Sequence, residues 1–235
     1  MSQAACTTQL IAVHGWAGDC RAWQPWAELA ESRGWYFSAA ERGYGTLPPK
    51  QPSWDPQAQQ RVVIGHSMGP HLLPAAVWAE ATSAVWLASF AAFVPPGRQG
   101  RSIRAALQAM GQRISSGDTT AQLRDFFREA AAPFPPSALP LGPLEQGITA
   151  TGREHLLEDL EQLANSAGLP PGYPEGARAL IVEAADDRIV HPASRAALRA
   201  QLPNAQVWNL EPAGHCLLDP TLAARVVEWI ADAQP

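Results

Sequence analysis

The run GHSMG at residues 65–69 constrains the fold of this chain more than any other feature. It directly follows an apolar, β-branched segment at residues 61–64 and precedes a helix-like stretch at residues 72–80. Glycines two residues before and two residues after Ser67 permit a tight strand–turn–helix, because a larger side chain there would collide with neighbouring backbone. The serine hydroxyl then stands clear of the sheet, as attack on a carbonyl requires. The alternative is a glycine-rich turn with a capping serine, and the rest of the chain has to discriminate between the two.

Composition limits the class of protein. The chain has 235 residues, of which 46% are hydrophobic, and its formal net charge of −5 argues against a nucleic-acid binder. Its three cysteines, Cys6, Cys20 and Cys216, have no framework spacing and are expected to be reduced thiols. The first residues lack the basic and apolar regions of a signal peptide, and no apolar run reaches the roughly 20 residues that span a bilayer. We therefore expect a cytoplasmic monomer that binds neither membrane nor nucleic acid.

Short apolar runs alternate with helical patterns along the chain. The predicted strands are residues 10–13, 35–39, 61–64, 84–87, 179–182 and 206–210. Helical patterns occupy residues 21–32, 192–201 and 221–233, and Pro74 is expected to bend the helix at residues 72–80. This alternation predicts an α/β fold with a mostly parallel central sheet of about six strands and helices on both faces. The proline-rich residues 47–56 predict that one crossover is a loop.

Residues 95–174 interrupt the alternation. They contain no good strand pattern but three helical ones, at residues 101–114, 119–130 and 153–164. An insertion between adjacent parallel strands usually lies over their carboxyl ends, where ligands bind. We therefore predict an α/β core at residues 1–94 and 175–235, with a helical cap inserted at residues 95–174.

An acid and a base follow the last two predicted strands. Asp187 comes directly after the fifth strand, and His215 follows the sixth. A serine hydroxyl needs an imidazole to take its proton, and the imidazole needs an acid to fix its tautomer. Asp187 could instead cap a helix or pair with Arg188, and Asp186 is the other candidate acid. Because all three loops lie at one end of the sheet, the sequence predicts a catalytic set of Ser67, Asp187 and His215.

The loop after the first strand is a candidate for the oxyanion hole. Acyl transfer forms a tetrahedral oxyanion that needs backbone N–H donors. The N–H of Met68, directly after the serine, is one candidate, and the N–H of Trp16, brought close by Gly15, is the second. His14 is interpreted mainly as a buried histidine that holds this loop, although it could also contact substrate.

These motifs together resemble the α/β-hydrolase superfamily. The resemblance rests on His14-Gly15-Trp16, residues 65–69, residues 187–190 and Gly214-His215, in this order and across nearly the whole chain. It implies that Ser67 is the nucleophile, His215 the general base and Asp187 its orienting acid. It implies no metal and no cofactor.

Within the superfamily, the sequence is most similar to the pimeloyl-acyl-carrier-protein methyl ester esterases of biotin synthesis. The similarity rests on residues 14–16 with Trp23, the run LASF at residues 87–90, the small size and the short cap. It implies a small acyl ester substrate, carried on acyl carrier protein, that is hydrolysed to the acid. A thioesterase, a lactonase or a general small-acyl carboxylesterase with the same triad is the alternative, and a non-catalytic receptor is an alternative of another class.

Side chains that could contact substrate or carrier complete the prediction. Besides His14, the candidate pocket residues are His66, Phe90, Phe126 and Phe127. Between positions 98 and 129 six arginines face three acidic residues. Five of these arginines are candidate contacts for an acidic carrier protein and its phosphate: Arg98, Arg101, Arg104, Arg124 and Arg128. They could equally form solvated faces of the cap helices.

Overall fold

A computed structural model of the chain describes residues 7–232. Cys6, the residues searched for a signal peptide and Ala233 of the last predicted helix lie outside these residues. Within the described range, no helix combines the length and the apolar character needed to cross a bilayer.

In the part of the chain that the structure describes, six parallel strands form the central sheet. They are β1 (Thr8–Val13), β2 (Tyr36–Ala39), β3 (Gln60–His66), β4 (Ser83–Leu87), β5 (Arg178–Ala184) and β6 (Gln206–Leu210). Their order across the sheet is β2-β1-β3-β4-β5-β6, and every neighbouring pair is parallel. The chain therefore reverses its direction of travel at β1, next to β3, which is the kind of position where open parallel sheets bind ligands. The predicted α/β fold with a parallel central sheet of six strands is confirmed.

Among residues 7–232, eight α-helices accompany the strands. They are α1 (Gln24–Ser32), α2 (Ala75–Ala79), α3 (Gly97–Ser115), α4 (Thr119–Ala131), α5 (Pro143–Gln146), α6 (Ala150–Asn165), α7 (Pro192–Gln201) and α8 (Leu222–Ala231). The prediction of a single bent helix at residues 72–80 is wrong. A 3₁₀ turn at Gly69–Leu72 ends before Pro74, which is extended and caps the short α2. The residue before a proline is restricted to extended backbone, so the chain leaves one helical turn and starts another.

Alternate strand residues supply the two apolar faces of the sheet. On β1, Leu10 and Ala12 pack with α1 and α8, whereas Ile11 and Val13 pack with α2 and α7. Because successive side chains point to opposite faces, a parallel sheet covered on both sides needs apolar residues at nearly every position. All six residues of β1 are buried. Each face of the sheet is thus covered by an apolar layer.

Helices α3 to α6 all lie between β4 and β5 in the chain. α3 packs against α4 and α6, and these helices share a third apolar cluster with Trp16, Tyr44 and Met68 from the loops after β1, β2 and β3. These helices therefore contact the same end of the sheet as the predicted catalytic loops. The division into core and cap at residues 94/95 and 174/175 stays a prediction.

Candidate active site

Ser67 sits at a strained turn between β3 and a 3₁₀ helix. Its φ is +54°, a left-handed conformation that non-glycine residues rarely adopt. The flanking glycines allow this turn because a Cβ on Gly65 would lie 2.4 Å from the Pro70 ring, and one on Gly69 would lie 2.4 Å from the Val13 carbonyl oxygen. The N–H of Ser67 donates to the Leu87 carbonyl oxygen over 2.8 Å. The strand–turn geometry expected from the sequence is present.

A hydrogen-bonded chain joins the three predicted catalytic side chains. The Nε2 of His215 lies 3.0 Å from the Oγ of Ser67, and its Nδ1 lies 3.0 Å from the Oδ2 of Asp187. His215 is 1% exposed and Ser67 is 7% exposed. The imidazole can therefore take the proton from the serine while its other nitrogen is held by the carboxylate.

Asp187 is fixed by the loop that follows β5. Its Oδ1 accepts hydrogen bonds from the N–H of Ile189 at 2.8 Å and from the N–H of Val190 at 3.0 Å. Burial raises the pKa of Asp187, but His215 and these two N–H groups lower it by more than burial raises it. The pKa therefore lies below its usual value. The carboxylate is thus ionised. Asp186, the other candidate, is exposed and makes no side-chain contact to His215 among the described residues.

The two predicted oxyanion donors come from loops that meet at Ser67. A Cβ on Gly15 would lie only 2.9 Å from the Cβ of Ser67, so the backbone at Gly15 passes directly beside the serine. Within residues 7–232, neither the N–H of Trp16 nor that of Met68 donates to another group. Both N–H groups therefore remain available to bind an oxygen atom.

The histidines His14 and His66 hold backbone next to the serine. The Nε2 of His14 accepts from the N–H of Arg42 over 3.2 Å, which places the proton on Nδ1, and this Nδ1–H donates to the Gly15 carbonyl oxygen over 2.9 Å. The Nε2–H of His66 donates to the carbonyl oxygen of His215 over 2.9 Å. Burial, followed by repulsion from His215, lowers the pKa of His66 to about 4. His66 is therefore neutral near pH 7.

A large, mostly apolar cavity opens over the serine. Its volume is about 910 Å³, and Ser67, His215, His14 and His66 all line it. Its aromatic walls come from two parts of the chain, namely α1 with the segment before it and α4 with the segment after it, and include Trp16, Trp23, Trp26, Phe126, Phe127 and Phe134. Phe126 contacts the Trp16 ring edge-on, with 4.9 Å between the centroids. The predicted pocket residues Phe126 and Phe127 thus lie where they could contact substrate.

Phe90 lies away from this cavity. Its ring is fully buried and stacks on His71 at 5.0 Å, with Phe93 at 5.1 Å on another side. It follows β4 and packs beneath the helices, because its position after the strand carries it into the apolar cluster. The structure therefore gives Phe90 a packing position and no contact with the cavity.

The five predicted arginines are divided between different surfaces. Arg124 and Arg128 line the cavity, whereas Arg98 and Arg101 are exposed near the start of α3, and Arg104 donates to the Ala164 carbonyl oxygen. Arg128 pairs with Asp125, which also binds Arg113. Arg124 makes no ion pair or hydrogen bond among the described residues. One unpaired guanidinium thus stands at the cavity, and the other three predicted contacts lie outside it.

A buried polar cluster that the sequence did not predict lies beside the site. Asp159 on α6 is 1% exposed, and its carboxylate binds the guanidinium of Arg42 and the hydroxyl of Tyr44. The signal for it is visible in the sequence, because Asp159 shares a helical face with Leu156, Leu160 and Leu163, all of which are apolar. A carboxylate within an apolar stripe rarely stays unpaired.

Metal ligands are a separate question. Among residues 7–232, no three His, Cys, Asp or Glu side chains cluster closely enough to hold a metal ion.

Comparisons with known proteins agree with this architecture. A family model described as the alpha/beta hydrolase family matches residues 10–229. No curated protein matches the sequence. Similar solved structures include an esterase from Exiguobacterium antarcticum, at 12% identity and TM-score 0.68, covering 95% of this chain and 92% of that one. MGS-M2, an alpha/beta hydrolase enzyme from a Medee basin deep-sea metagenome library, is 14% identical at TM-score 0.71, with 100% and 93% coverage.

The same fold also occurs in an epimerase. The bottromycin epimerase, solved in complex with bottromycin, is 16% identical at TM-score 0.66 and covers 99% of this chain and 93% of that one. At these identities the similarity shows the fold alone, so function has to be argued from the site.

Proposed function

Since the chain belongs to the alpha/beta hydrolase family, we propose that it is a serine carboxylesterase that uses Ser67, His215 and Asp187. The observation that carries this proposal is the continuous hydrogen-bonded chain from the Ser67 hydroxyl through His215 to the ionised Asp187. A strained serine with a base and an oriented acid in one buried row has no purpose in a simple packing role. This arrangement also disfavours the receptor alternative.

The geometry supports a two-step hydrolysis. Ser67 Oγ attacks the ester carbonyl carbon while Nε2 of His215 takes the hydroxyl proton, and the N–H groups of Trp16 and Met68 bind the resulting oxyanion. His215 then gives this proton to the leaving alcohol, and the acyl group stays on Ser67. In the second step His215 takes a proton from water, the hydroxide attacks the acyl carbonyl, and Ser67 regains its proton as the acid leaves. The Asp187 carboxylate stabilises the imidazolium in both steps.

The cavity favours an ester with an extended apolar part. Aromatic and aliphatic side chains dominate its walls, and its volume of about 910 Å³ falls within the range of pockets that enclose small-molecule ligands. Burial of apolar substrate surface contributes about 25 cal/mol per Å². The same features suit a thioester or a lactone, so the identity of the acyl carrier and leaving group decides among the alternatives.

The specific substrate that we propose is the methyl ester of pimeloyl-acyl-carrier protein. The unpaired Arg124 at the cavity and the exposed Arg98 and Arg101 on α3 would attract an acidic carrier and its phosphate, while the apolar cavity would take the acyl chain. Arg104 supports this less, because its guanidinium is already used on the Ala164 carbonyl oxygen.

Labelling with a fluorophosphonate tests the catalytic proposal. We expect wild-type protein to be labelled once per chain and to hydrolyse short aryl esters, and Ser67→Ala to lose both properties. Labelling that persists in Ser67→Ala, or hydrolysis that survives it, would contradict the assignment of the nucleophile.

Comparing free and carrier-bound pimeloyl methyl esters tests the substrate proposal. We expect kcat/KM to be higher for the carrier-bound ester and to fall as salt rises, because screening weakens attraction between charged surfaces. Arg124→Glu should reduce this preference, whereas Lys50→Glu, the same charge change in the exposed loop after β2, should not. Equal rates on both esters would favour the general carboxylesterase.

A further inference from the structure

One face of α6 lies against the loops that form the site. Gly152, Leu156 and Asp159 are spaced four and three residues apart, so they share this face. A Cβ on Gly152 would lie 1.7 Å from the Tyr44 carbonyl oxygen, which shows that the helix backbone touches the loop after β2 directly. At Gly152 the backbone of α6 therefore packs against the backbone of Tyr44 with no side chain between them.

Asp159 fastens the other end of this face. Its Oδ2 lies 2.5 Å from the Tyr44 hydroxyl and 2.9 Å from Nε of Arg42, and its Oδ1 lies 2.9 Å from a terminal nitrogen of the same guanidinium. Burial, followed by the Asp159 charge, raises the pKa of Tyr44 well above its usual value, so the hydroxyl keeps its proton and donates. Two charge-assisted contacts and a phenol hydrogen bond thus hold the loop after β2 to the helix.

Two connections run from this face to the oxyanion loop. The indole Nε1–H of Trp16 donates to the Leu156 carbonyl oxygen over 2.9 Å, across 140 residues of sequence. The backbone of Arg42 donates to His14, which in turn donates to the Gly15 carbonyl oxygen. One connection fixes the side chain of Trp16, and the other fixes the backbone of the residue before it.

We propose that α6 positions the oxyanion hole, and that Asp159 is a positioning residue that acts through Arg42 and His14 on the backbone N–H of Trp16. The inference rests on the proposed function, because it assigns that N–H to the oxyanion. A donor must lie within hydrogen-bond reach of the oxygen at the moment when charge develops, and a displacement of a fraction of an ångström weakens it. Binding of the uncharged ester requires no such precision.

Two variants of the proposed connections test this role. Asp159→Asn keeps the shape of the side chain and removes its charge, and Trp16→Phe keeps the ring against Phe126 and removes the indole N–H. Because deleting an oxyanion donor costs about 10²–10³ in kcat, a displaced donor should cost about tenfold. We expect kcat to fall about tenfold in each variant with KM within about twofold of wild type, and fluorophosphonate labelling to slow in proportion.

Glu158→Gln is the matched control. Glu158 binds the same guanidinium as Asp159 but is exposed, with Nη2 of Arg42 2.8 Å from its Oε2. Exposed ion pairs contribute little, so kcat should stay within about twofold of wild type. The pH profile of kcat should keep its wild-type shape in all three variants, because Asp187 and His215 are untouched. Loss of folded protein alone would lower the apparent kcat and leave KM unchanged, so kcat is calculated from the concentration of active sites given by the end point of fluorophosphonate labelling. Such a loss would also be seen in thermal unfolding, and it would lower the end point of labelling without changing its rate constant.

The outcomes separate this inference from the proposed function. If Ser67→Ala abolishes hydrolysis while Asp159→Asn and Trp16→Phe retain wild-type kcat, the inference is wrong and the esterase proposal stands. A loss confined to KM, or an equal loss in Glu158→Gln, also overturns it. If Asp159→Asn fails to fold, Tyr44→Phe, which removes one hydrogen bond to the same carboxylate, tests the Asp159 connection in its place, and an unchanged kcat in Tyr44→Phe overturns that part of the inference. If wild-type protein neither hydrolyses esters nor reacts with the fluorophosphonate, both proposals are wrong.

Discussion

Replacing Asp187 by asparagine should convert His215 to a tautomer that cannot take the serine proton. Two backbone N–H groups, from Ile189 and Val190, point at Oδ1 of Asp187. In Asp187→Asn the amide oxygen has to occupy this position, because an amide NH₂ there would face two donors. The NH₂ group then replaces Oδ2, 3.0 Å from Nδ1 of His215. Since NH₂ donates, Nδ1 must accept, and the imidazole proton moves to Nε2, facing Ser67.

The magnitude of the loss follows from the cost of turning the amide. The active tautomer returns only if the NH₂ group faces both loop N–H groups, which leaves two buried donors unsatisfied at about 1–3 kcal/mol each. A total of about 2–6 kcal/mol corresponds to a fall in kcat of about 30-fold to 10⁴-fold. Aspartate-to-asparagine changes in serine triads reach about 10⁴, so we expect the upper part of this range.

Steady-state kinetics with a soluble aryl ester measures this effect. KM should stay within about threefold of wild type, because Asp187 does not line the cavity. Asp186→Asn is the control: its side chain is exposed and it sits one residue away, so kcat should be unchanged within about twofold. A kcat of Asp187→Asn within tenfold of wild type, or an equal loss in Asp186→Asn, would refute the tautomer argument.

Two further predictions concern stability. Gly152→Ala should lower the free energy of unfolding by about 1–3 kcal/mol, because its Cβ would meet the Tyr44 carbonyl oxygen at 1.7 Å. Gly111→Ala is the control, since this helix glycine has only side chains near the position of a Cβ, at 3.8 Å or more. It should raise the free energy of unfolding by about 0.5–1 kcal/mol. Urea denaturation measures both, and a stable Gly152→Ala would contradict the close approach of α6. Wild-type stability should fall as pH drops from 6.5 to about 4, because the unfolded chain protonates His66 in a range where the folded protein does not. His66→Phe should remove up to about 3 kcal/mol of this pH dependence, and an unchanged slope would show that His66 is not held neutral.

Local chemistry in the sequence was enough to predict the sheet and the tight turn at Ser67. Each predicted strand lies within a few residues of the observed one, because a parallel strand buried on both faces is a continuous apolar run. The positions of Ser67, Asp187 and His215 after their strands follow from the same reading, since parallel strands end at one edge. The prediction of one helix at residues 72–80 was wrong because Pro74 restricts the backbone of the residue before it, and this restriction outweighed the apolar pattern.

Contacts between distant segments could not be predicted in the same way. Asp159 and Arg42 are separated by 117 residues, and nothing in either local pattern names the other as its partner. Phe90 follows its strand as a pocket residue would, yet it packs on His71, because the direction of the loop after β4 depends on helices that arrive later in the chain. The five predicted arginines likewise lie partly at the cavity and partly on other surfaces, because their positions depend on helix orientation, which the composition of the segment does not contain.

Asp187 and His66 flank His215 and differ in charge: the carboxylate is ionised, whereas the imidazole of His66 is neutral. In the proposed mechanism His215 gains a positive charge when it accepts the serine proton, and the ionised Asp187, 3.0 Å away, would stabilise that charge. The ring of His66 lies 5.0 Å from that of His215, and a second positive charge there would oppose the transfer. Burial and repulsion from His215 lower the pKa of His66 to about 4, so its ring stays neutral while its Nε2–H donates to the His215 carbonyl oxygen. The residue before the serine thus fixes the backbone of the base without adding charge, which an arginine or lysine at position 66 could not do.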